Sequence, residues 1–394
     1  MQVVDRVIIA YACENKGSEP GVGYYWTKAI SETFEKEAIF LMTRKNNDIN
    51  SLTKNSNINK IGIDLPKEFL FIKKVFGVRV YYFIWQFLVF IHLLTKYKRY
   101  KNVTIHQITF TPMYFPPIFF ILPFKFVWGP IGGGESFPLK YLSAFKFKDV
   151  LKELIRVFMR YSIYINPFFY AGCINSTKII CSSPDSAKMI PRIFHKKVTT
   201  ELMVFDKDKE VSNLKKSKSI VIANRLIDWK MTHLFVQAFD EFTKEKKTKY
   251  TLTIIGDGPY YDKIKPFLCN KNIVHYKRFE LREEMLEHLK NASLFVSMSL
   301  HDSGAASLLE AMSYGIPFLV TNTGAHKVYL NKGVGFSFDL KSYKQDVKKI
   351  KLILKRILSD DEILRKESAN IIECYNKHFS VLVKNKRIKN ILNA

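Results

Sequence analysis

The chain has 394 residues, 47% of them hydrophobic and 25% charged, a balance that supports a sizeable core and excludes a collagen, a disordered tail and a small disulfide scaffold. At roughly 100–200 residues per domain, the length implies two to three domains. Lys and Arg number 62 against 36 Asp and Glu, a net charge of +26, so polyanions, anionic membrane surfaces and phosphorylated substrates are the candidate partners.

In chain order, short β-branched and aliphatic runs alternate with helical patterns, the signature of parallel sheets with crossover helices. Strands are predicted at residues 3–12, 38–43, 60–65, 103–108, 126–129 and 178–182, with a helix of 3.6-residue periodicity over 149–164. Two apolar segments invite a membrane-span reading. The first, 81–94, is interrupted by Gln86 and His92 and is about 14 residues long, short of the roughly 20 that a bilayer requires. The second, 113–127, contains Pro116, Pro117, Pro123 and Lys125, which oppose a continuous helix. Lys73, Lys74 and Arg79 precede the first segment and Lys96, Lys98, Arg99 and Lys101 follow it, so it reads equally as a core helix with a basic end or as a helix resting on anionic lipid. After a lysine-rich polar stretch at 206–218, a second series begins. Its strands are predicted at 219–224, 250–256, 273–278, 294–297 and 317–321, and its helices at 232–246, 260–268, 282–291, 307–315 and 341–358. The chain therefore reads as two Rossmann-like domains with parallel sheets, joined near 195–217 and facing a central cleft at the carboxyl ends of their strands. The expected boundaries are 1–205 for the first domain, 206–375 for the second and 376–394 for a C-terminal helix packing back toward the first.

Cys13, Cys173, Cys181, Cys269 and Cys374 are scattered, and none forms a C-x-x-C pair. Reduced, buried thiols in a cytoplasmic protein are the expectation. No run of like charge forms a nucleic-acid arm and no basic strand face is interleaved with aromatics, so nucleic-acid binding has no docking motif behind it.

Four constellations carry chemistry. Lys16 to Gly23, between the first strand and a helix, offers glycines for close backbone approach and a helix N-terminus that favours an anion; its spacing does not match the G-x-G-x-x-G dinucleotide fingerprint. Trp128 to Glu135 places three consecutive glycines, Gly132 to Gly134, at a strand end. Asn224 to Lys230 sets Arg225 at the end of the first strand of the second series with Lys230 five residues on, a pair that can hold a diphosphate without a metal. His301 to Met312 follows the strand at 294–297 and opens a helix. Its small residues, Ser303 to Ser307, leave backbone N–H groups at a helix start for an anion.

Together these parts resemble glycosyltransferase family 4, retaining sugar-nucleotide enzymes of GT-B architecture. The resemblance runs over nearly the whole chain, through Gly17 to Gly23, His106 to Phe110, Trp128 to Glu135, Arg225 to Lys230, Gly256 to Pro259 and Asp302 to Gly315. It implies that Arg225 and Lys230 neutralise the donor diphosphate as the bond to the sugar breaks, with no bound metal and no cofactor. It further implies that Glu310, the second acid of an E-x7-E motif, holds the ribose, and that the N–H groups of Gly304, Ala305, Ala306 and Ser307, with Ser303, face the phosphate and sugar. Asp302, where the first Glu of that motif is usual, would contact the sugar hydroxyls. His106 is expected beside the transferred sugar, Gly21, Gly23 and Arg278 on the donor, and Glu19, Gly133, Gly134 and Glu135 on the acceptor side. The sequence departs from the family at Asp302, at Asn224 in place of a common Gly, and at Lys277 where Gly is frequent. The implied activity is transfer of a hexose or N-acetylhexosamine from a nucleotide sugar, UDP favoured over GDP, to a lipid-linked saccharide in bacterial surface polysaccharide synthesis. The implied location is cytoplasmic, peripheral on the membrane. The other readings are a soluble or protein acceptor, and a non-catalytic subunit of a two-component transferase.

Overall fold

In the computed structural model, residues 4–54, 57–69, 71–96, 103–205, 217–277 and 282–393 are described. The chain divides into two compact units, the first comprising Met1–Gly134, Phe158–Phe205 and Lys384–Ala394, the second Glu135–Val157 and Asp206–Val383. Residues 135–157, contiguous in sequence with the first series of strands, thus pack with the second unit.

Among the described residues the first unit carries seven strands: β1 (Arg6–Ile9), β2 (Ile39–Thr43), β3 (Ile58–Gly62), β4 (Thr104–Gln107), β5 (Lys125–Ile131), β6 (Ser176–Cys181) and β7 (Val198–Thr200). They pair in parallel in the order β3-β2-β1-β4-β5-β6-β7. The order reverses between β1 and β4, which creates a crevice at the carboxyl ends of those two strands. β1 and β2 are buried throughout, which explains the apolar runs Val7 to Ile9 and Ile39 to Met42. The second unit carries β8 (Ser219–Ala223), β9 (Thr251–Ile255), β10 (Ile273–Tyr276), β11 (Leu294–Ser297), β12 (Phe318–Thr321) and β13 (Phe336–Phe338) in the parallel order β10-β9-β8-β11-β12-β13. Here the order reverses between β8 and β11.

The apolar segment expected to be about 14 residues long is a helix of 19, Gly77–Thr95, long and apolar enough to cross a membrane by length and composition. Arg79 interrupts the apolar run without interrupting the helix. Tyr81, Tyr82, Trp85, Val89 and Leu93 lie within the hydrophobic core of the first unit, and Trp85 Nε1 donates to the Ile63 carbonyl at 2.7 Å. The second apolar segment contains only a 3-10 turn, Ile118–Ile121, before β5 begins at Lys125.

The predicted helix at 260–268 is an α-turn, Tyr261–Ile264, followed by a 3-10 turn, Lys265–Phe267, because Pro266 lacks the N–H that an α-helix requires there. The C-terminal region forms two helices, Asp361–His378 and Val381–Asn393. The second packs within the first unit: Lys384 Nζ donates to the Leu202 carbonyl at 2.6 Å and Arg387 pairs with Glu201 at 2.7 Å. All five cysteines are free thiols; four are buried and Cys269 is exposed.

Candidate functional site

The strongest constellation lies in the second unit, at the β8/β11 reversal. β8 ends at Ala223, and the segment beyond it is clamped by the Gly256–Gly258 turn that follows β9. Asn224 N–H donates to the Ile255 carbonyl at 3.0 Å and Leu226 N–H to the Asp257 carbonyl at 2.9 Å. A Cβ on Gly256 would lie 1.9 Å from the Asn224 carbonyl oxygen, at a φ of +143°. Only glycine allows that approach. The clamp sets Arg225 at the strand end with its side chain exposed. Asn224 Oδ1 accepts from Thr232 Oγ1 at 2.9 Å, so this side chain ties the strand end to the next helix, Thr232–Glu245.

Lys230 closes a 3-10 turn, Asp228–Lys230, ahead of Met231 in the left-handed conformation (φ +44°). Its ammonium pairs with the Asp302 carboxylate, which comes from the loop after β11. The other carboxylate oxygen of Asp302 accepts from the N–H groups of Gly304 and Ala305, each at 3.0 Å. Ala305, left-handed at φ +50°, leads into the helix Ala306–Ser313. Burial by itself would raise the Asp302 carboxyl, but the Lys230 ammonium holds it well below the usual carboxylate range. Asp302 therefore fixes Lys230 and its own turn. The N–H groups of Gly304 and Ala305, expected to face a ligand, are engaged by Asp302 in this structure. Glu310 lies buried within the same helix.

Two neighbours of this pair escaped the sequence reading. His326 is fully buried, its Nδ1 3.0 Å from the Thr321 carbonyl, and burial lowers its pKa to about 4. The loop ahead of it packs on Asp302: Ala325 N–H donates to the Asp302 carbonyl at 2.7 Å, and a Cβ on Gly324 would lie 2.4 Å from the same oxygen. Glu135 also belongs here, its Cγ 3.2 Å from that same Cβ position. The second neighbour is a stack: the Trp229 ring lies on His301 at 5.3 Å, and His301 Nε2 meets Glu153 Oε1 at 3.0 Å. A small-residue loop with a histidine after β12 was the available signal for His326. No local pattern announced Glu153.

In the first unit the expected residues separate by role. Glu19 opens the helix Glu19–Thr33 and accepts from the Phe110 N–H at 2.7 Å, across the β1/β4 reversal. Burial raises its carboxyl and that hydrogen bond lowers it, the former prevailing. Gly23 sits inside the helix where a Cβ would lie 2.1 Å from the Ala12 carbonyl oxygen, whereas Gly21 has open space around its Cβ position. Gly133 and Gly134 press against Tyr114 and Ser186; their compactness serves loop packing.

His106 does not take the place expected of it. It is fully buried on β4, Nε2 lies 2.6 Å from the Gly129 carbonyl, and burial lowers its pKa to about 3. A neutral imidazole packed edge-on against Trp26 at 5.9 Å braces the β4–β5 pair, and its side chain has no exposed surface for a sugar. Arg278, expected on the donor, lies outside the described residues, as does most of the lysine-rich stretch, 206–216. Lys277 is exposed and pairs with Asp257 at 3.5 Å.

Solved structures align over almost the entire chain. HepE from Anabaena, in complex with UDP and glucose, matches with a TM-score of 0.62 and 12% identity, covering 99% of this chain and 100% of that one. The lipopolysaccharide outer core galactosyltransferase WaaB, in its apo form, matches with a TM-score of 0.62 and 13% identity, covering 99% of each chain. The fold is GT-B. Within that GT-B chain, residues 204–371 match the family model described as Glycosyl transferases group 1, a segment that contains Arg225, Lys230, Asp302, Glu310 and His326. Protein CapJ of Staphylococcus aureus is 25% identical over 158 residues, an alignment covering 39% of this chain and 38% of CapJ. The match thus spans about two fifths of that relative's length.

Proposed function

We propose that this GT-B chain is a glycosyltransferase of the group 1 type that moves a hexose or N-acetylhexosamine from a nucleotide sugar, with retention of configuration, to a saccharide acceptor. The observation that carries the reading is the Lys230–Asp302 pair across the β8/β11 reversal, beside Arg225, inside the matched segment. Ligands of open parallel sheets bind at such reversals. Two cations there neutralise the diphosphate as charge develops on the leaving group, and such electrostatic stabilisation is the main catalytic contribution open to these side chains. Lys230 enters the site already oriented by Asp302, and the glycine clamp fixes the backbone on either side of Arg225, so part of the ordering precedes the transition state. Glu310 holds the ribose.

UDP is the favoured nucleotide because the similar HepE structures hold UDP, UDP with glucose, and UDP-glucose. A lipid-linked acceptor of a surface polysaccharide, met at the inner face of the cytoplasmic membrane, is supported by the likeness to WaaB and WaaG, both named for lipopolysaccharide work, and by the charge of +26. Metal-independent transfer is supported by Arg225 and the Asp302-paired Lys230 as charge-assisted donors to phosphate.

A thermal-shift screen of the full chain against UDP, GDP, ADP and their hexose and N-acetylhexosamine conjugates, with and without EDTA, tests the reading. Stabilisation by one nucleotide series that survives EDTA is the expected result. Absence of a shift with every nucleotide removes the reading.

A further inference from the structure

The helix Phe147–Ser162 is turned inside out. A surface helix ordinarily buries its apolar stripe and exposes its charged one. Here Phe147, Leu151, Leu154, Ile155 and Phe158 all stand exposed, from 47% at Leu154 to 84% at Phe147, and Ile165 in the following turn is exposed as well. Their spacing of four, three, one and three residues sets the five helical ones on one face. The opposite stripe is ionic and packed. Asp149 accepts from Tyr260 Oη at 2.9 Å, Glu153 is buried against His301 and Arg156, and Arg160 donates to the Gly134 carbonyl at 2.9 Å.

The two acids of the helix therefore face inward, and the charges beside the outward stripe are Lys148 and Lys152, both exposed, the Lys152 ammonium lying 2.8 Å from Asp149 Oδ1. A stripe of this kind needs a cover. A second copy of the chain would bring two lysine rims together in a protein of charge +26, which repels. An anionic lipid surface accepts both features at once, the apolar side chains entering the acyl boundary and the lysines reaching up to the phosphates. At 16 residues the helix is about 24 Å long, and with one ionic face it lies along the interface instead of crossing it.

We propose that the helix Phe147–Ser162 is an interfacial anchor that inserts its outward apolar stripe into an anionic membrane. The proposal builds on the membrane contact of the preceding subsection and names the element that makes it, distinct from the helix Gly77–Thr95. The test is flotation of the full-length protein with phosphatidylcholine vesicles, with and without about a third of phosphatidylglycerol, for the wild type, Leu151→Gln/Ile155→Gln and Phe83→Gln/Phe87→Gln. Nucleotide thermal shift on the same preparations verifies the fold.

The expected result is flotation of the wild type with the anionic vesicles, and a loss of about tenfold or more in the Leu151/Ile155 variant with its nucleotide shift intact. Flotation of that variant at the wild-type level overturns the proposal; if the Phe83/Phe87 variant is then the one released, the membrane contact stands and belongs to the other helix. A wild type that ignores both vesicles overturns both. A dimer dissolved by Leu151→Gln/Ile155→Gln, without vesicle binding, overturns the lipid assignment in favour of a second copy. Loss of flotation in the Leu151/Ile155 variant with a wild-type melting temperature, when neither that variant nor the wild type shifts with any nucleotide, leaves the anchor in place and removes the transferase reading alone.

Discussion

Asp302→Asn separates the two tasks the structure gives this side chain. An asparagine keeps an oxygen for the Gly304 and Ala305 N–H groups, each 3.0 Å away, but it removes the negative charge that holds Lys230. The paired side chains are 20% and 16% exposed, between the surface regime, where a pair contributes about 0–1 kcal/mol, and the buried regime, where removing one partner costs about 3–5 kcal/mol. A stability loss of about 1–3 kcal/mol follows. Turnover should fall further than binding. If the Lys230 cation supplies the roughly hundredfold to thousandfold of one preorganised electrostatic group, loosening it forfeits about tenfold to a hundredfold of kcat.

The same substitution has a pH signature. The folded carboxyl titrates below its usual value, so its contribution to stability is complete above an unfolded pKa of about 3.9 and is lost as pH falls below it. The asparagine variant lacks that part of the acid limb. The assays are UDP release from the donor identified by the nucleotide screen, and thermal unfolding between pH 7 and pH 3. Wild-type kcat together with a wild-type acid limb would refute the positioning role of Asp302.

Gly256→Ala forces a methyl against the Asn224 carbonyl at a φ of +143°; a loss of about 2–4 kcal/mol, read as a fall in Tm, should come with weakened UDP affinity because Arg225 moves with the clamp. Gly21→Ala and Gly23→Ala are expected to go in opposite directions in a melting curve. The first adds a methyl to open space in a helix and raises stability by about 0.5–1 kcal/mol, and the second collides with the Ala12 carbonyl oxygen and lowers it. His106→Gln should leave UDP affinity unchanged in calorimetry, since the imidazole is buried. Its folded pKa of about 3 lies below the unfolded value of about 6.5, so the wild type loses stability as pH falls from about 6.5 toward 3 and the variant loses less; abolished UDP binding would return His106 to the ligand.

Most of the sheet architecture was legible because parallel strands buried on both faces read as continuous apolar runs. β11 begins and ends where its pattern does, at Leu294 and Ser297. The three-residue strands β7 and β13 are too short for any periodicity to register. At the site, Arg225, Lys230 and Asp302 were legible because strand-end position and charge are local properties. The engagement of the Gly304 and Ala305 N–H groups by Asp302 was not, since an aspartate two or three residues upstream serves as a turn cap or a ligand contact with the same sequence. His106 was expected beside the sugar by resemblance alone, and a resemblance in sequence does not register that β4 lies between two neighbours with the imidazole enclosed. Glu153 meets His301 across 148 residues of chain, a pairing only the folded segment 135–157 creates. The helix Phe147–Ser162 shows the limit of periodicity itself, which reports two faces and not which one is inside.

The most direct test of the central claim, that the β8/β11 reversal holds a nucleoside diphosphate on Arg225 and Lys230, is a UDP titration by calorimetry in EDTA on wild type, Arg225→Ala and Lys230→Ala. The expected result is binding by the wild type and a loss of about tenfold or more in each variant, the scale of a charge-assisted contact to phosphate. Equal UDP affinity in all three proteins would contradict the claim and place the donor elsewhere.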